Sequence, residues 1–217
     1  NVIEQFSTFR VTSHVALRKA LEMITPERIA SAVHLANDSL RAAGIAKPRI
    51  GVAALNPHCG EGGLFGDEEI RLIAPAVRRL AESSEGTSAH AVAEMARENS
   101  VAIVYGYPER GAGDAIFNAA QLVDAYGTPI ANYRKTHLFG DLDNSMFCAS
   151  DADSAVVELG GWRVGMLICY DVEFPENTRK LALRGTDLII APTANMVPFD
   201  VVATTIVPAR AYENQGY

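Results

Sequence analysis

The sequence predicts an α/β fold, and three observations carry that prediction. Short apolar runs rich in β-branched residues alternate with stretches of helical periodicity along the chain. Of 217 residues, 48% are hydrophobic and 21% charged, enough apolar surface for one large core or two small ones. Finally, the run Arg163-Val-Gly-Met-Leu-Ile-Cys ends in a turn that opens a helix, as a buried strand does in such folds.

The elements follow in order. Thr25-Pro-Glu-Arg starts a helix over residues 26–44, with Thr25 as N-cap and Pro26 at the first helical position. Residues 49–55 read as a short buried strand, which empties into the glycine-rich loop Asn56-Pro-His-Cys-Gly-Glu-Gly-Gly. Asp67 then caps a helix over 68–80. The small, polar stretch 81–88 is the candidate boundary between two domains, 1–80 and 81–217. Residues 88–99 read as a helix and 101–107 as a strand. Residues 115–124 and 129–135 read as paired strands turning through Tyr126-Gly127. A strand over 164–169, a helix over 175–184, a buried strand over 187–192 and a helix over 203–214, interrupted or started by Pro208, complete the pattern.

The net charge of -7 and the scattered basic residues argue against a nucleic-acid partner. No apolar run approaches the roughly 20 residues that span a bilayer, and the first residues lack a basic and then apolar leader, so no membrane partner is expected. Cys59, Cys148 and Cys169 form no CxxC pair and are odd in number, which fits a reducing compartment; a cytoplasmic protein is the expectation.

Cys169 is the most informative residue. A thiol at the carboxyl end of a strand, near helix amides, is placed to ionise and act as a nucleophile, although a buried cysteine by itself is more often packing. Its surroundings decide between the two. Asn132-Tyr-Arg-Lys-Thr-His-Leu-Phe-Gly, Ile168-Cys-Tyr-Asp-Val-Glu-Phe-Pro-Glu, Ala191-Pro-Thr-Ala-Asn and Arg210-Ala-Tyr-Glu-Asn occur in that order, and together they resemble the nitrilase, or carbon-nitrogen hydrolase, superfamily. The resemblance implies an α-β-β-α sandwich, here incomplete, with Cys169 as nucleophile and Lys135 stabilising the oxyanion, helped by the backbone amide of Tyr170. It implies a small amide or N-carbamoyl substrate, no cofactor, and a homo-oligomer. The family's basic glutamate has no clear counterpart, which implies an impaired enzyme; Glu61 lies at about the right distance, but in a different motif. A second acidic residue supporting the lysine corresponds to Asp141 or Asp143. Arg210 and Glu213, one helical turn apart, are expected to pair structurally.

Residues 1–80 resemble another family. Thr12-Ser-His-Val-Ala-Leu and Leu55-Asn-Pro-His-Cys-Gly-Glu-Gly-Gly-Leu-Phe-Gly-Asp-Glu-Glu are similar to 4-hydroxythreonine-4-phosphate dehydrogenase, a metal- and NAD-dependent enzyme. That resemblance makes His14 and His58 ligands of a divalent metal (Zn, Co or Mg), with NAD as cofactor, and implies an α/β segment of dehydrogenase-like fold. The third histidine ligand and most of the NAD pocket fall in segments that this sequence does not contain. His34, His90 and His137 have no ligand spacing. The sequence thus reads as a chimera whose main activity is the hydrolase, with a dehydrogenase-like fragment or a functionless fusion as alternatives.

Overall fold

In the computed structural model the described residues are 2–3, 6–7, 9–45, 48, 50–52, 55, 66–193 and 199–217. They fall into two units, Asn1–Leu80 with Gly140–Met146, and Ala81–Phe139 with Phe147–Tyr217.

The first unit is mostly helical. β1 (Val2–Ile3) and β2 (Phe6–Ser7) form a two-stranded antiparallel sheet, followed by α1 (Leu17–Glu22) and α2 (Pro26–Ala42). The expected cap of α2 forms: Thr25 Oγ1 accepts from the Arg28 N–H at 3.2 Å, satisfying a donor that the helix leaves unpaired. A π-helical turn (Glu69–Ile73) leads into α3 (Ala74–Leu80). Ile29, Ile73 and Ala76 form a small core with Val11, Ile24 and Val77 around them. Arg79 pairs with Glu27 at 2.9 Å, and Arg78 donates to the Ser145 carbonyl of α5 (Gly140–Met146) at 2.7 Å. The expected strand over 49–55 does not form at its described positions. Ile50 and Val52 are 36% and 41% exposed, and no described strand lies beside them to complete a hydrogen-bond ladder. The loop 56–63, with His58, lies outside the described residues.

The second unit is built on two three-stranded sheets. β3 (Ile103–Arg110), β4 (Ile116–Val123) and β5 (Pro129–Arg134) pair antiparallel in chain order. In the other sheet β6 (Val157–Leu159) pairs antiparallel with β7 (Trp162–Met166), and β7 pairs parallel with β8 (Leu188–Ile190). Strand alternation then dictates the core: Ala120, Leu122 and Tyr133 of the first sheet share one cluster with Val164 and Met166 of the second. The other face of β4 is buried too, at Ala119, Gln121 and Val123, and α4 (Thr87–Asn99) packs on this strand. On the second sheet, Gly165 leaves room for Leu181 of α6 (Pro175–Leu183), whose methyls would lie 2.9 Å from an added Cβ. The result is the predicted α-β-β-α layering. The chain closes with a π-helical turn (Val202–Ile206) and α7 (Val207–Asn214). Among the described residues, no helix is long and apolar enough to cross a membrane.

Candidate active site

Side chains alternate along β5, so Ala131 and Tyr133 face the core while Asn132 and Arg134 face away. Lys135 follows on the core side and is 2% exposed. Its backbone is held on both sides: the N–H donates to the Asn118 carbonyl at 2.8 Å, and its own carbonyl accepts from the Ser150 N–H at 3.0 Å.

Cys169 sits where the second sheet runs out. Beyond β7 the parallel ladder continues, with the Leu167 N–H on the Ile190 carbonyl at 3.1 Å and the Cys169 N–H on the Pro192 carbonyl at 2.9 Å. Then the backbone turns sharply. Cys169 has φ 48, in the left-handed region that costs a non-glycine residue about 1–2 kcal/mol, and the chain winds into a 3-10 turn over Cys169–Glu173. The thiol is half-buried and free, whereas Cys148 is exposed. Helix α6 begins only at Pro175, so the amides nearest the thiol belong to this short turn and not, as the sequence suggested, to a helix N-terminus.

The segments bearing Lys135 and Cys169 meet at Asp171, which is fully buried. Its Oδ1 accepts from Thr136 Oγ1 at 3.1 Å and the His137 N–H at 2.8 Å. Its Oδ2 accepts from the Tyr133 hydroxyl and the Ile168 N–H, both at 3.0 Å. Burial first, and the neighbouring carboxylate second, push the Tyr133 phenol well above its ordinary value, so it stays a donor. The sequence signals Asp171 only as part of the nucleophile motif.

Aromatic rings surround the turn. His137 stacks on Phe174 with centroids 3.9 Å apart. Tyr170 meets the edges of Phe174 and Phe139, and Phe139 in turn meets Phe199 at 5.6 Å. Arg210 pairs with Glu213 at 3.2 Å as expected, and also donates to the carbonyls of Val172 and Glu173 at 3.2 and 2.8 Å, bracing the turn from α7. On the outer face of β5, Arg134 forms a two-pronged ion pair with buried Glu109 at 2.8 and 3.0 Å. Asp141 and Asp143 both stand in the first turn of α5, in the first unit.

His14 is exposed on a turn at φ 55, and His58 lies outside the described residues. Among the described residues no three His, Cys, Asp or Glu side chains converge as ligands.

Comparison with known proteins finds two families, whose matches overlap over residues 60–96. The sequence model of the family described as carbon-nitrogen hydrolase matches residues 60–217, and that of the pyridoxal phosphate biosynthetic protein PdxA matches residues 2–96. The chain is 58% identical over 142 residues to "Hydrolase in pqqF 5'region" of Pseudomonas protegens, covering 65% of this chain and 50% of that protein. It is 50% identical over 82 residues to a putative 4-hydroxythreonine-4-phosphate dehydrogenase 2 of Pseudomonas aeruginosa, covering 38% of this chain and 24% of that one. Among solved structures, a cysteine-to-alanine mutant of the amidase from Nesterenkonia sp., in complex with butyramide, superposes with a TM-score of 0.58 at 29% identity, covering 69% of this chain and 54% of the other. The chain thus spans about half the length of the hydrolase relatives it matches.

Proposed function

This chain belongs to the carbon-nitrogen hydrolase family, with a PdxA-like segment before the hydrolase part, and from that premise we propose that it cleaves a small aliphatic or N-carbamoyl amide through Cys169. The observation that carries the reading is the Asp171 junction, which joins the segment of Lys135 to that of Cys169 within one unit.

The chemistry runs in two halves. The Cys169 thiolate attacks the amide carbon and forms a C–S bond; the oxyanion so created is stabilised by the Lys135 ammonium and the Tyr170 N–H. The C–N bond breaks, the nitrogen leaves as ammonia with the proton supplied by the thiol and a general base, and a thioester remains. Water then cleaves the thioester to a carboxylic acid and restores the thiol. The aromatic rings of Phe139, Tyr170 and Phe199 suit an apolar acyl group.

The test is ammonia release from butyramide and from an N-carbamoyl amino acid. Release that disappears in Cys169→Ala supports the reading; release equal in Cys169→Ala and wild type overturns it, as does no release from either substrate. The base is tested in parallel, because Glu61 lies inside the family match. Glu61→Gln lowers turnover by about a hundredfold if Glu61 is the base. Unchanged, already slow turnover instead marks an enzyme impaired at that step.

A further inference from the structure

Asp171 lies two residues beyond Cys169, and its carboxylate has no free acceptor site. An ionised carboxylate offers about four lone-pair directions. Here four donors take them: Thr136 Oγ1 and the His137 N–H on Oδ1, the Tyr133 hydroxyl and the Ile168 N–H on Oδ2. The His137 ring Nδ1 lies 3.3 Å from Oδ1, 2.9 Å from Thr136 Oγ1 and 3.1 Å from the Asn177 amide nitrogen. The same Asn177 amide group also donates to the Asp171 backbone carbonyl at 2.9 Å. An unpaired carboxylate at 0% exposure would be strongly destabilising.

The identity of the donors gives its role. Residues 133, 136 and 137 flank Lys135 on both sides, and residue 168 immediately precedes Cys169. We propose that Asp171 is a positioning residue: it never touches substrate, but it fixes the Lys135 segment against the Cys169 segment so that ammonium and thiolate serve the same reacting carbon. This rests on the hydrolase reading for its purpose, though not for its geometry.

Asparagine is an informative replacement because two of the four donors are backbone N–H groups that cannot reverse. Whichever way the amide lies, its NH2 faces either the His137 or the Ile168 N–H, so one side of the junction is lost while size is kept. The experiment uses the full chain carrying Cys59→Ser and Cys148→Ser, leaving Cys169 as its one thiol, and follows alkylation by iodoacetamide across pH together with amide turnover.

In Asp171→Asn we expect Cys169 alkylation near neutral pH to slow by about tenfold and kcat to fall far more than KM rises, the effect of losing a charge-assisted tie. Leu122→Ala serves as control: it loosens the core between the sheets and lowers the thermal midpoint, but leaves the alkylation profile in place. If Asp171→Asn does not fold, Tyr133→Phe with Thr136→Val removes the two side-chain donors and is expected to slow alkylation by about threefold. Folded Asp171→Asn, or that double variant, with wild-type alkylation overturns the proposal. If alkylation slows as expected while wild type releases no ammonia, the positioning role stands and the hydrolase reading falls.

Discussion

Glu109 shows how far a single side chain depends on partners distant in sequence. Burial alone would raise its pKa, but the hydrogen bonds from Arg134 and Asn132 outweigh this and hold the carboxyl below its ordinary value. A depressed carboxylate stabilises the fold at pH above its unfolded value and loses that contribution as pH falls through its folded value. Denaturant titrations should therefore find Glu109→Gln less stable than wild type by about 1–3 kcal/mol at neutral pH, the difference shrinking only below the ordinary value of 4.5. Legibility at this scale splits the same way. Cys169, Lys135 and the Arg210–Glu213 pair were readable because motif or helical spacing marks them locally. Asp171 and Glu109 were not: apart from the Ile168 N–H three residues before Asp171, their partners lie 34–38 and 23–25 residues away.

Elements were legible where local chemistry dictates them. The start of α2 follows from Thr25 and Pro26, and the β4–β5 turn from its aspartate and glycine: Asp124 Oδ1 accepts from the N–H groups of Tyr126 and Thr128 at 2.9 and 2.8 Å, and Gly127 takes φ 80. That glycine is required twice over, because an added Cβ would also land on the Ala93 carbonyl of α4. Gly127→Ala should cost about 2–4 kcal/mol, read as a fall in the denaturation midpoint, with neither backbone free to yield. β6, which turns into β7 through Gly160 and Gly161 at φ 60 and 85, escaped the sequence reading, which placed a strand only over 164–169. The strand expected over 49–55 is absent at its described positions, 50–52 and 55, where apolar propensity finds no described edge to pair with.

For the whole molecule, acidic balance sets colloidal behaviour whatever the activity. With a net charge of -7 and a pI near 5.2, turbidity at fixed concentration should peak near pH 5.2 and clear on either side; a solubility minimum elsewhere would contradict this. Sequence alone determined that two unlike families contribute to the chain, that the fold is α/β, and which cysteine and lysine to examine, because motifs and periodicity are properties of neighbouring residues. Only the tertiary structure decided that Gly140–Met146 groups with Asn1–Leu80, that α6 starts too late to place its first amides at Cys169, and that one buried carboxylate gathers residues 133, 136, 137 and 168. Those facts depend on segments distant along the chain coming together to fill space and satisfy buried polar groups, and local composition carries no record of which segments meet.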